Sequence, residues 1–292
     1  MKNGFSIFVA AFIALGMSWC GFVLGPIKQL GTAKQAGVLN SSDVYPLQRT
    51  GDAALGLQVY RANGCAACHT EQVRPDGVAC EVDLTSAGKN RAAVEDAIKK
   101  ITEQISLTNP KAAEIETIRP AGSSEPILIN ATKEQADYAE QQIATAGGKA
   151  ETQIYATGVD IARGWGVRRS VAVDFLYDYP VQLGSLRAGP DLANVGARLP
   201  DANWQLVHLY APQAVVKNSA MPPFRFLFEV RKIKPGDAPS PDALKFPQGF
   251  VPPAGNEVVP TPEAKQLAAY LLSLKADAPL YEAPFTPVMT KP

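Results

Sequence analysis

Two cysteines and a histidine have the spacing that attaches and ligates an iron porphyrin. They are Cys65, Cys68 and His69, in the sequence CAACH. Two thiols three residues apart can add to the two vinyl groups of one haem, while the next residue binds the iron. The alternative is half of a zinc site, but tetrahedral zinc needs further ligands, and the remaining candidates are scattered along the chain: Cys20, Cys80 and His208. The motif therefore predicts one covalently bound haem c.

The iron of such a haem needs a second axial ligand, which is a thioether or another imidazole. The candidates are Met17 in an apolar N-terminal segment, Met289 in the C-terminal tail, Met221 and His208. Two prolines after Met221 fix its loop, and Asn218 or Ser219 could hold that loop with hydrogen bonds. We therefore predict Met221 as the ligand. His208 lies on a predicted helix, where we expect a packed, hydrogen-bonded side chain, and a bis-histidine haem is the alternative.

Residues 1–26 predict a membrane anchor. From Phe5 to Gly25 the chain carries no charge, and about 20 such residues in a helix cross a hydrocarbon core. A cleavable signal peptide is the alternative, but its apolar region would be shorter and a small-residue cleavage site would follow it. Haem attachment of this kind is known for the outer face of the membrane. We therefore expect a single span in the inner membrane, with the haem domain on the periplasmic side.

The charges of the chain are balanced, with 28 Lys and Arg residues against 28 Asp and Glu residues. The sequence therefore lacks the basic field that binding to nucleic acid requires. We expect no nucleic-acid partner.

Helices should position the haem residues. A short helix with Leu55 and Val59 one turn apart precedes the cysteines, after a linker at 27–48. A second helical pattern begins within 201–216 and continues up to Pro212. A final helix starts at Thr261-Pro262 and has an apolar face. The Pro-rich stretch 221–261 predicts an ordered but irregular wrap. These elements predict a haem domain made of 49–78 and 158–278, followed by a Pro-rich tail at 279–292.

Residues 79–157 differ in composition and predict a separate α+β insert. The pattern reads strand, helix, short helix, strand, helix and strand. It resembles the C-terminal domain of the bacterial ribosomal stalk protein, through AGKNRAAVEDAIKKI and ATKEQADYAEQQIATAGGKAE. Because a fold does not transmit a function, we interpret the insert as an interaction or packing module.

Gly189-Pro190-Asp191-Leu192 follows the insert. It resembles the Gly-Pro-x-Leu element of class I cytochromes c, whose backbone carbonyl binds the free ring nitrogen of the iron-bound histidine. The resemblance implies that Pro190 orients His69 and raises its basicity. The haem propionates could be neutralised by nearby arginines, or these could form a solvated face: Arg168, Arg169 and Arg187.

Three stretches together resemble the mono-haem subunit II of cbb3-type cytochrome c oxidases. They are GCAACHTEQVRP, FLYDYPVQLGSLRAGPDLANVGARL and NWQLVHLYAPQAVVKNSAMPPF. The family's fold is a class I cytochrome c domain behind one N-terminal transmembrane helix, so we expect a mainly α chain interrupted by the small α+β insert. Two departures are the insert after Arg74-Pro75, and GWGVRRSVAVDFL in place of a tyrosine-rich pattern.

The resemblance implies one-electron transfer without a catalytic site of the chain's own. The implied partners are the haem–copper catalytic subunit of the oxidase and other cytochrome c subunits. The alternatives are a free-standing anchored cytochrome, the small subunit of a nitric oxide reductase, and a haem-based gas sensor in which a diatomic ligand displaces Met221.

Overall fold

A computed structural model describes residues 4–113, 126–250, 252 and 254–285 of the chain. The helices are α1 (Gly4–Trp19), α2 (Gly25–Leu30), α3 (Gly51–Ala62), α4 (Arg91–Ser106), α5 (Pro110–Ala113), α6 (Lys133–Thr145), α7 (Val159–Ala162), α8 (Val195–Arg198), α9 (Ala202–Tyr210), α10 (Pro212–Val215) and α11 (Pro262–Ser273). The strands are β1 (Ala36–Gly37), β2 (Val44–Tyr45), β3 (Gly77–Ser86), β4 (Pro126–Ala131), β5 (Lys149–Thr157), β6 (Phe228–Lys232) and β7 (Asn256–Pro260). The chain is mainly helical with small sheets, as predicted.

The N-terminal helices form one continuous apolar rod. Gly4–Gln29 is a 26-residue helical stretch with no part of its apolar window buried, and at 1.5 Å per residue it is about 39 Å long. The rod widens to a π-helical turn at Cys20–Leu24, because Pro26 has no N–H for the regular ladder. An apolar helix of this length with its side chains uncovered fits a single membrane span.

The segment expected as a linker is partly folded. β1 and β2 pair in antiparallel register, and the hairpin packs on the C-terminal stretch through the Leu39 N–H, which donates to the Pro279 carbonyl at 3.0 Å. The Arg168 guanidinium lies 5.5 Å from the centre of the Tyr45 ring. This segment is therefore part of the haem domain and not an unstructured linker.

The haem domain is built on the contact between α3 and α11. The Tyr60 and Tyr270 rings lie 5.1 Å apart at this contact. α11 begins as predicted: the Thr261 hydroxyl caps it by accepting from the Ala264 N–H, and Pro262 occupies the first turn. Its apolar face contributes Leu267 and Leu271 to one core. Side chains from the rest of the domain complete this core, including Leu192, Val195, Val207 and Leu209.

The Pro-rich stretch is more regular than expected. β6 and β7 form an antiparallel pair that runs from Phe228 opposite Pro260 to Lys232 opposite Asn256. The pair forms because Phe228 and Val258 are buried in the haem domain, while most prolines of the stretch lie outside the two strands. Only Pro260 takes part, at the end of its strand.

The insert contains the predicted order of elements within its described residues. Its antiparallel sheet has the order β4-β3-β5, and α4 and α6 cover one face of it with Val94, Ile101, Ala139 and Ile143. Residues 114–125, between α5 and β4, lie outside the described residues. The two ends of the insert meet, since Gly77 pairs with Thr157.

Candidate haem site

The cysteine motif lies on a tight turn at the end of α3. Gly64 adopts a positive φ of 66°, which favours glycine, and a 3₁₀ turn at Cys65–Ala67 follows. The Cys68 and His69 N–H groups both donate to the Cys65 carbonyl, at 3.1 and 3.0 Å. The turn brings both thiols and the imidazole to one cavity.

That cavity has a volume of about 600 Å³, which is the size of a cofactor site. Its walls are mostly apolar and come from α3, the Gly-Pro element, α8, α9, the loop around Met221 and α11. The lining includes Cys65, Cys68, His69, Pro190, Leu192, Leu199, Trp204, His208, Leu209, Met221, Leu267 and Leu271. Met17 lies in α1, and Met289 lies outside the described residues.

The His69 ring is held in one orientation. Its Nδ1 lies 2.8 Å from the Pro190 carbonyl oxygen, so an Nδ1–H donates there and Nε2 is left for a metal. Gly189 packs against the ring: a Cβ there would lie 2.3 Å from His69 Cε1. Any residue other than glycine would therefore push the ring out of place.

The Met221 loop is anchored on both sides of the methionine. The Met221 N–H donates to the Ser219 hydroxyl at 3.3 Å, and Asn218 turns the chain with a φ of 61°. The Phe224 N–H donates to the Leu209 carbonyl at 2.8 Å, which ties the loop to α9. Met221 is thereby kept on the cavity wall.

His208 lines the same cavity and stacks on Trp204, with 5.0 Å between ring centres. It is packed as expected, but its Nδ1 has no hydrogen-bond partner in the described part of the chain. Burial lowers the pKa of His208, so its imidazole is neutral at pH 7.

The three arginines considered for the propionates do not line the cavity. Arg168 is buried and forms an ion pair with Asp174 at 2.8 Å, Arg187 pairs with Asp160 at 2.8 Å, and Arg169 donates to the Glu282 carbonyl. Protein oxygens therefore already bind all three guanidinium groups, and the propionate role left open for these arginines stays a prediction.

Arg198 lies on the cavity wall, and no pattern in the sequence singles it out. Its Nε is buried without a partner among the described residues, and its Nη2 donates to the Asp191 carbonyl at 3.2 Å. Burial lowers its pKa. Only the fold distinguishes it from other arginines, since it lies in a short helix with no motif around it.

Burial changes the titration of two groups beside the cavity. It raises the pKa of the Cys65 thiol to about 11, so Cys65 is not the activated thiolate that reactive cysteines require. It also raises the pKa of Glu71 to about 8, and the Tyr270 hydroxyl donates to this carboxyl at 2.9 Å.

The donor set of the cavity fits a haem c. A haem presents two vinyl groups, an iron and two carboxylates, and the walls carry two thiols, an imidazole and a thioether. Two buried polar atoms of wall residues lack partners in the described ranges: Arg198 Nε and His208 Nδ1. Buried polar groups are normally paired, so unpaired donors here are suited to carboxylates of a bound group.

A family model also matches the chain. It describes the mono-haem subunit of cytochrome c oxidase, FixO, and it matches residues 131–237. The predicted resemblance is confirmed. The FixO match begins at the end of β4 and includes Pro190, Arg198, His208 and Met221, whereas the cysteine motif precedes it. No curated protein matches the chain.

Proposed function

We propose that this chain binds one haem c covalently through Cys65 and Cys68, with His69 and Met221 as the axial ligands, and that it transfers single electrons. The observation that carries the proposal is the convergence of these four side chains on one apolar cavity. The domain around it would be a class I cytochrome c. Bound haem supplies the one-electron redox change.

The protein residues then have separate tasks. The Pro190 carbonyl orients His69 through the 2.8 Å contact with Nδ1 and makes the imidazole a stronger donor. The Met221 thioether favours the reduced state and raises the reduction potential. The apolar walls exclude water, and Arg198 and His208 can donate to the propionates. None of these tasks involves a substrate.

We further propose that the chain works as a subunit of a cbb3-type oxidase. The FixO match supports this assignment, and the apolar rod supports a single-span anchor. The anchor would lie in the inner membrane, with the haem domain on the periplasmic side, where haem attachment of this kind is known. The partners would be the haem–copper catalytic subunit and other cytochrome c subunits. A haem with both axial positions filled cannot bind oxygen, so its electron must pass to another protein.

Mild detergent extraction tests the assembly. We expect the chain to copurify with a much larger haem-containing polypeptide, in a complex that oxidises a reduced donor and consumes oxygen. As a control, a cleavable signal peptide in place of residues 1–30 should preserve the haem c spectrum and abolish copurification. Recovery only as a solitary cytochrome, in several detergents, would contradict the subunit assignment. A change of the haem c spectrum with carbon monoxide in the purified chain would support the gas sensor instead.

Removing the insert should leave haem binding intact. Asp76 and Gly158 are adjacent at its base, where the Asp76 N–H donates to the Thr157 carbonyl at 2.9 Å, so a linker of about two to four residues can replace 77–157. We expect the shortened chain to keep the haem c absorption spectrum of the full chain. The same deletion in a Cys68→Ser background provides the control. Loss of covalent haem from a well-expressed shortened chain would contradict a separable insert.

A further inference from the structure

The Arg187 guanidinium joins three separate parts of the chain next to His69. Its Nε donates to the Thr70 hydroxyl at 2.9 Å, and its Nη2 donates to the Gln72 carbonyl at 2.6 Å. The two Nη atoms also form a forked ion pair with Asp160, at 2.8 Å each. One side chain therefore connects the irregular segment after the cysteine motif to the segment that follows the insert.

Asp191, directly after Pro190, is the second member of this cluster and is fully buried. Its Oδ2 accepts from the Thr70 hydroxyl at 2.5 Å and from the Gln72 N–H at 2.9 Å, and it lies 3.4 Å from Arg187 Nη2. Its Oδ1 accepts from the Ala193 N–H at 2.9 Å. The carboxylate therefore locks the segment that carries Pro190 to the segment that carries His69.

Backbone hydrogen bonds place the two segments side by side. The Gly189 N–H donates to the Cys68 carbonyl at 2.9 Å, and the Leu192 N–H donates to the Thr70 carbonyl at 2.8 Å. These two bonds flank Pro190, whose carbonyl meets His69 Nδ1.

Asp160 closes the cluster at the base of the insert. It is buried, and besides Arg187 it accepts from the Arg74 N–H at 2.8 Å. Arg74 precedes the insert and Asp160 follows it, so this carboxylate binds both ends of the insert to the arginine. Buried ion pairs are costly unless their groups are well hydrogen-bonded. The many hydrogen bonds made by Arg187, Asp160 and Asp191 therefore indicate that these side chains hold the connected segments in position.

We propose that Arg187 and Asp191 are positioning residues that press the Pro190 carbonyl onto His69 Nδ1, and that they thereby lower the reduction potential of the bound haem. The proposal rests on the proposed function. A stronger bond from Nδ1–H gives the imidazole more anionic character, which stabilises ferric iron. Weaker contacts of Arg187 and Asp191 would weaken that bond and raise the reduction potential.

Two substitutions separate positioning from charge. Arg187→Lys keeps the positive charge but loses the planar fork, and Asp191→Asn removes a negative charge while it keeps the shape. We expect each substitution to increase the equilibrium constant for reduction about tenfold. For one electron, this corresponds to a rise in reduction potential of about 59 mV. An effect of charge alone would raise the reduction potential in Asp191→Asn and leave it unchanged in Arg187→Lys.

The measurement is a redox titration of the full-length, detergent-solubilised chain, together with the proton resonance of His69 Nδ1–H. Exposed controls are Arg231→Lys and Asp242→Asn, which should leave the potential unchanged. An unchanged potential in Arg187→Lys overturns the proposal. If the Asp191→Asn variant binds haem poorly, the reduction potential of the Arg187→Lys variant tests the proposal. If both variants bind haem poorly, the reduction potential of an Asp160→Asn variant tests it. A wild-type chain without covalent haem would instead refute the proposed function.

Discussion

Replacing Met221 by alanine is expected to abolish the long-wavelength sulfur-to-iron absorption band and to lower the reduction potential of the haem. A thioether stabilises ferrous iron, and water or another ligand in its place does so less well. Axial ligands set haem potentials over about 0.8 V, and we expect a fall of roughly 0.1 V or more. Absorption spectroscopy of the oxidised protein and a redox titration measure both effects.

Met17→Ala is the matched control, because Met17 lies in the apolar rod and should change neither quantity. Persistence of the band in Met221→Ala would show that another residue ligates the iron. His208→Ala then tests the second imidazole on the cavity wall. Under the proposed ligation, this variant keeps the band, since its nitrogen is a candidate partner for a carboxylate and not for the iron.

Replacing Cys65 and Cys68 together by serine is expected to eliminate covalently bound haem. A hydroxyl does not add to the vinyl groups, so no thioether can form and haem becomes extractable with acidified acetone. Haem staining after denaturing electrophoresis should fall to background. Cys80→Ala serves as the control, since Cys80 is buried in the insert and should leave the stain intact. Haem that stays bound to the double variant through denaturation would contradict attachment at these thiols.

Much of the architecture could be predicted from local signals. Thr261 and Pro262 mark the start of α11 by their chemistry alone, and in the insert Thr132 and Gln135 form a reciprocal capping box at the start of α6. The haem motif is equally local, because its residues are neighbours in sequence. Features of this kind depend on a few adjacent side chains, so no knowledge of the fold is needed to find them.

Other features depend on contacts between distant residues. β6 and β7 are separated by 23 residues, 233–255, and their pairing is stabilised by burial against helices elsewhere in the chain. The role of an arginine is likewise decided by its surroundings: Arg168 and Arg187 meet carboxylates, whereas Arg198 faces the cavity with an unpaired Nε. Residue type and spacing do not distinguish these three environments.

The folded hairpin above the anchor determines how the haem could meet an acceptor. Only residues 31–35 separate α2 from β1, and that length of chain spans at most about 20 Å when extended. Under the proposed function, the haem domain would be confined to a thin layer at the membrane surface. Its effective concentration towards a protein bound to the same anchor would then be set by the length of this connection. Turnover would then be governed by the arrival of a diffusing electron donor, and the forward step would be independent of how dilute the protein is in the membrane.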